Sequence, residues 1–173
     1  MEARELAQSR PKPFELSLRI RHPSIDPAEI SRVLMVDADH SFKAGEPRES
    51  RSGSAAAGVH SESYWLGTLD PLALRNAMSA HAVHFPGREH LATAGQRVQQ
   101  MIADRLSLAL ELGLTFFLRT HGEFVRRLQR EGGEVRVLVE ISPSAVSEFT
   151  LTPAISRVLS ELSVAVDFEL LDN

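Results

Sequence analysis

The chain has 173 residues, of which 43% are apolar and 24% charged, with a net charge of −4 and no cysteine. That is enough apolar material for an ordinary hydrophobic core in one folded unit without covalent staples. It excludes disulfides, thiolate catalysis and cysteine-ligated zinc, and the acidic balance argues against a nucleic-acid footprint.

Residues 1–13 are polar, carry Glu2, Arg4, Glu5, Arg10 and Lys12, and end at Pro11 and Pro13. They read as a flexible tail, since they lack the apolar stretch of a secretory leader. No apolar run reaches the length of a membrane span, so the expected setting is the cytoplasm, with no membrane partner. The folded domain is expected over residues 14–173.

It opens with alternation. Phe14, Leu16, Leu18 and Ile20 are apolar, while Glu15, Ser17, Arg19 and Arg21 are polar. A period of two is the mark of a half-buried strand, and His22-Pro23 ends it. Asp26 then suits a helix N-cap with Pro27 in the first turn, and Ile30, Val33 and Leu34 fall on one helical face. Residues 36–45 return as a short strand or extended arm. Residues 46–60 are rich in Ser, Gly and Ala without periodicity and are expected to be a flexible loop. Order resumes at Ser63–Leu69, a strand holding the sole Tyr and the sole Trp.

A short helix over Leu72–Met78 and a loop over His81–Gly87 come next. A long helix is expected from about Ala94 to Leu112, stopped by Gly113. Residues 114–119 suit either a continuing helix or a buried connection. Thr120 and Glu123 match a capping box for a helix that buries Phe124, Val125 and Leu128 and ends at Gly132-Gly133. Val135, Val137, Val139 and Ile141 alternate as a strand. Ser142–Thr150 connects it to a helix capped by Thr152, started by Pro153 and faced by Ile155, Val158, Leu159 and Leu162. Val164, Val166, Phe168 and Leu170 close the chain as a strand.

The expected order is thus β-α-β-β-α-α-β-α-β. It implies an α+β fold with a single mixed, mainly antiparallel sheet and helices mostly on one face. One phrase occurs twice: Asp26-Pro27-Ala28-Glu29-Ile30-Ser31-Arg32-Val33-Leu34 and Thr152-Pro153-Ala154-Ile155-Ser156-Arg157-Val158-Leu159. The second copy lacks the counterpart of Glu29. Each copy lies between strand-like stretches, which suggests an internal β-α-β duplication, although capping and packing alone can produce such similarity.

The Asp26-Pro27 helix start, the arm Lys43-Ala44-Gly45-Glu46-Pro47 and the Tyr64-Trp65 strand together resemble a bacterial domain family known only as a domain of unknown function. In that family the arm has the form Lys-x-Gly-Glu and a Trp strand follows. The resemblance spans roughly residues 14–171 and departs from the family at residues 48–60 and 71–93. It implies a small intracellular bacterial α+β domain and carries no catalytic residues to transfer. Some small bacterial domains of this general kind act as immunity proteins beside toxins, which for this chain is an analogy only.

Two constellations are candidates for chemistry. His40, Lys43, Glu46 and Arg48 lie on the arm and, with Tyr64 and Trp65, can line a binding groove, because flat amphipathic rings suit a peptide or ligand surface. Against this, Trp65 can be a core anchor, and strand alternation places Tyr64 and Trp65 on opposite faces. His81, His84 and His90, with Glu89, offer imidazole and carboxylate ligands for a metal, but their spacing matches no established motif and also suits an exposed His-rich loop. No nucleophile elbow, phosphate loop or dinucleotide turn occurs, and no cofactor is implied. The dense basic stretch Arg126, Arg127 and Arg130 lies among Glu123 and Glu131 and reads as a solvated, ion-paired face.

These observations point first to a non-enzymatic module that binds a partner protein. A metal- or His-dependent enzyme using the 81–90 loop is the alternative. The third reading is a structural domain that self-associates as a homodimer through a sheet face or edge.

Overall fold

A computed structural model describes residues 13–49, 55–70, 106–142 and 150–170. The first strand, β1 (Phe14–His22), is the centre of a five-stranded sheet. After it come α1 (Pro27–Leu34), β2 (His40–Phe42), β3 (Pro47–Glu49), β4 (Ala55–Val59) and β5 (Ser63–Thr68). The next described stretch is helical: α2 (Leu106–Leu108), a π-helical segment (Ala109–Leu114), α3 (Thr115–Thr120) and α4 (Gly122–Arg130). β6 (Glu134–Ile141), α5 (Pro153–Glu161) and β7 (Ala165–Leu170) complete the chain.

The sheet runs β2-β5-β1-β6-β7, and only the β6–β7 pair is parallel. β1 and β2 are therefore parallel with β5 between them, and β5 and β6 are parallel with β1 between them. This interleaving is the split β-α-β, ferredoxin-like pattern. To it the chain adds α5 and β7 at one edge, and a separate two-stranded hairpin, β3–β4, between β2 and β5. The fold is α+β with a mixed sheet, as the alternating strands imply.

Period two decides which face is buried. Leu16, Leu18 and Ile20 of β1 and Val135, Val137 and Val139 of β6 are all nearly inaccessible. They share one core with Ile30 and Leu34 of α1, Phe117 of α3, Leu128 of α4, and Ile155 and Val158 of α5. The opposite face carries Glu15, Arg19, Arg21, Arg136 and Glu140.

Trp65 joins α1 to this core. It is wholly buried, and its indole Nε1 donates to Ser31 Oγ on α1 at 2.9 Å. Two residues along the same face, a Cβ on Gly67 would meet the Trp65 ring at 2.4 Å and the Asp37 carbonyl at 2.8 Å. The ring lies along its own strand, in space that only glycine leaves open.

The local signals act unevenly. Asp26 caps α1 as expected, with Oδ1 accepting from Ala28 N–H at 2.9 Å. Thr152 occupies the corresponding cap position of α5 with extended backbone, but its hydroxyl makes no cap hydrogen bond and is buried without a partner. The Thr120–Glu123 capping box does not form. Thr120 Oγ1 turns back to the Phe116 carbonyl at 2.8 Å, and Glu123 pairs with Arg126. Helical backbone on both sides of His121 leaves no free turn for that box to start.

Gly113 does not stop the preceding helix either. Residues 114–119 continue it, because Leu114, Phe116, Phe117 and Leu118 are all buried. The π-helical segment absorbs the change of phase, and Thr115 Oγ1 donates to the Leu110 carbonyl at 3.3 Å, five residues back. The 46–60 stretch, expected as a flexible loop, contains the β3–β4 hairpin, in which Pro47 is opposite Val59 and Glu49 opposite Ala55. The helix expected over Leu72–Met78, the loop over His81–Gly87 and most of the 94–112 helix lie outside the described residues.

Both copies of the repeated phrase form helices starting at their proline. Their settings differ. β1 and β2, flanking the first copy, are separated by β5, whereas β6 and β7, flanking the second, are neighbours. Ser31 holds Trp65, while Ser156 is exposed.

Ser31→Ala leaves the buried indole N–H without an acceptor and should cost about 1–3 kcal/mol in urea unfolding. Gly67→Ala should cost about 1–3 kcal/mol by forcing the ring from its place. Wild-type stability in both variants would show that neither contact holds α1 on the sheet.

Candidate functional site

The arm after β2 is a stapled turn. Glu46 Oε2 accepts from Lys43 N–H at 2.8 Å, and Glu46 N–H donates to the Lys43 carbonyl at 3.1 Å. Gly45 supplies the positive φ of +85° that this reversal requires. Lys43 Nζ reaches Asp26 Oδ2 at 2.9 Å, tying the arm to the α1 cap. That contact raises the pKa of Lys43 and, with the Ala28 amide, lowers that of Asp26. Ala44 N–H donates to Ser63 Oγ at 3.0 Å. The Lys-x-Gly-Glu form thus has a structural explanation: a turn that locks β2, β5 and α1 together.

The six arm and strand candidates consequently separate. Lys43 and Glu46 hold the turn. Trp65 is buried in the core and presents nothing to solvent. Arg48 is exposed on β3, apart from the five-stranded sheet. His40 and Tyr64 do come together, with ring centroids 5.8 Å apart on the outer face.

Two residues not singled out by the sequence complete that cluster. Phe42 stacks on His60 at 3.7 Å and 17°, and on Tyr64 at 5.2 Å and 15°. His40 meets Phe42 edge-on at 5.9 Å. The register explains the grouping. His40 is opposite Leu66 and Phe42 opposite Tyr64, so these four side chains share a face. His60 joins them because the hairpin neck is pinned by Gly45 N–H to the His60 carbonyl and by His60 N–H to the Glu46 carbonyl. The period-two spacing of His40 and Phe42 could have flagged Phe42. Nothing local marks His60.

Beyond the rings the same face is charged. Arg21 lies opposite Tyr64 and 3.8 Å from Glu62. Arg19 and Arg136 converge on Asp167 at 2.7 and 2.9 Å, and Arg136 also binds Glu134. At the far end, Glu15, Glu140 and Glu169 form one row across three strands. The face therefore runs from an aromatic end through ion-paired arginines to a carboxylate end.

A cleft of about 140 Å³ lies between α3–α4 and α5, with Leu118, Arg126, Val158 and Glu161 in its walls. Arg126 is committed to Glu123 at 2.6 Å. His121 sits between α3 and α4 against Phe117, and burial lowers its pKa. His22 is a buried acceptor: its Nδ1 takes the Ser24 and Ile25 amides at 3.1 and 2.9 Å, so Nε2 carries the proton. That nitrogen is 3.4 Å from Glu131 but misaligned for a hydrogen bond. His81, His84, Glu89 and His90 lie outside the described residues. Among the described residues no group of three His, Asp or Glu is placed to hold a metal ion, and no helix is long and apolar enough to cross a membrane.

No protein-family model matches the chain, and neither does any curated protein or solved structure.

The carboxylate row has a measurable consequence. Partial burial, then the charges of Glu15 and Glu169, raise the pKa of Glu140. The folded state therefore holds that proton more tightly than the unfolded chain. The resulting stability is present at low pH and is lost as pH rises through the folded-state pKa. Glu140→Gln should accordingly raise the Tm at pH 7, with the gain vanishing in acid below the ordinary carboxyl range. A Tm difference independent of pH would refute the charge explanation.

Proposed function

We propose that this chain is a non-enzymatic binding module that takes a partner protein on the aromatic end of its open sheet face. The observation that carries this reading is the row His60–Phe42–Tyr64, with His40 at its edge, on a face that no described helix covers. Core rings lie among aliphatic side chains. These instead stand partly exposed at the surface, beside arginines and short edge strand β2. Aromatic side chains with arginine at the rim are the composition of binding hot spots, and stacked rings offer area without much loss of rotamer freedom on docking.

The analogy with small bacterial domains that act as immunity proteins supports the same reading. An immunity-type role, in which the chain neutralises a toxin made by a neighbouring gene in the cytoplasm, is the specific form proposed. The ion-paired arginines would set orientation on the partner rather than affinity.

Binding is tested with the products of genes adjacent to the chain's own, by co-purification and calorimetry. Phe42→Ala and Tyr64→Ala should each weaken the complex by about 2 kcal/mol, near thirtyfold, at unchanged circular dichroism. The proposal fails if no neighbouring product binds, or if the double variant binds as tightly as the wild type.

A further inference from the structure

The cleft between α3–α4 and α5 has walls of opposite charge. On one side stand Arg119, near the end of α3, and Glu123 and Arg126 on α4. On the other stands Glu161, the last residue of α5. Arg126 binds Glu123 through one Nη at 2.6 Å. A guanidinium carries several further N–H donors, so Arg126 keeps some for a second acceptor. Arg119 and Glu161 are exposed, and neither has an ion pair among the described residues, with the other or elsewhere. One wall therefore keeps a net positive charge and the other a negative one.

The floor between them is apolar and held in place. Leu118, Val158 and Leu162 form it, and all three belong to the core. Gln129 Nε2 donates to the Leu162 and Ser163 carbonyls at 2.6 and 3.1 Å, which fixes the end of α5 against α4. Gly122 keeps the space open. A Cβ there would lie 3.4 Å from Leu162 Cδ2 and 3.8 Å from Arg126 Nη1, taking up room in the cleft without collision. The volume is about 140 Å³. An apolar cavity of about 150 Å³ holds one benzene molecule, which sets the size of the occupant.

We propose that this cleft binds a free α-amino acid with a small branched apolar side chain, of the size of valine or leucine. Its carboxylate lies against Arg119 and Arg126, its ammonium against Glu161, and its side chain on the Leu118–Val158–Leu162 floor. A simple anion would face Glu161, and a simple amine would face two guanidiniums. A zwitterion suits both walls. The cleft lies in the helix layer, away from the aromatic row on the open face, so this site stands or falls independently of partner binding there.

Titration of the full chain with L-leucine and L-valine, followed by amide NMR, tests this. Saturable shifts should centre on Leu118–Arg126 and Val158–Leu162, with half-saturation at about 1 mM or below. Isocaproate lacks the ammonium of leucine and isoamylamine lacks its carboxylate, and each should bind at least about tenfold more weakly. Arg119→Gln and Glu161→Gln alter exposed side chains, so the fold should persist while affinity for L-leucine falls at least about tenfold. Gly122→Ala should abolish saturation with no loss of thermal stability, since alanine favours a helix and meets only ordinary contacts. The proposal is overturned if these segments show no saturable shift by about 10 mM of either amino acid, tenfold above a millimolar constant. It is overturned too if isocaproate or isoamylamine binds as tightly as L-leucine, which would make this a plain anion or amine site. Unaltered L-leucine binding in all three variants would also overturn it, by placing the amino acid elsewhere.

Discussion

The contact on which the architecture most depends is the one between Trp65 and Ser31. An indole buried in the sheet has one polar atom, and an unpaired N–H at that depth is costly. Ser31 on α1 meets it at 2.9 Å. The bond fixes the rotation of α1 about its own axis, since a hydroxyl one position away would face elsewhere. Gly67 makes the same arrangement possible from the other side by leaving the ring room to lie along β5. With α1 set, the Asp26 carboxylate at its start is in place to receive Lys43, and the arm that follows β2 is held to the sheet. Core packing, helix placement and the path of a surface turn are one connected constraint.

The two sheet faces obey different physics. The covered face is nearly all aliphatic and is held by burial. The open face is held by pairs of charges whose partners come from different strands, as Arg19, Arg136 and Asp167 do from β1, β6 and β7. Those pairs are partly solvated and contribute modestly to stability. What they do is order the surface along the strands, with rings at one end and carboxylates at the other. A surface so polarised has a direction, and a partner laid across it meets different chemistry at each end.

Much of this fold was legible because its strongest signals are periodic. Phe14–Ile20 alternates without exception and Val135–Ile141 with Leu138 alone out of pattern, and the strands follow. Asp26-Pro27 names a helix start that the backbone confirms. The misreadings of the helices share a cause: a local motif was overridden by burial. Gly113 reads as a terminus, yet the apolar residues after it have a core to enter, and the helix bends its phase to reach it. Thr120 reads as a cap, but a helical chain already occupies both sides of it. Within the candidate site, period two placed Tyr64 and Trp65 on opposite faces and so separated a surface ring from a core ring. His60 was beyond reach. It meets Phe42 only because a hairpin folds out and returns to the same point, a coincidence of position that the seventeen residues between them do not encode locally.

That hairpin leaves the body of the protein through a narrow neck, where Gly45 and Glu46 are bonded to both sides of His60. Strands β3 and β4 both lie beyond those bonds. Growth or loss of sequence there leaves the five-stranded sheet and its core as they are, so this is where the chain can vary in length without relearning how to fold. The neck also ends on an aromatic ring of the exposed row. Whatever is carried on the hairpin therefore stands beside that row, so a change there remakes the surface next to the rings while the sheet stays the same.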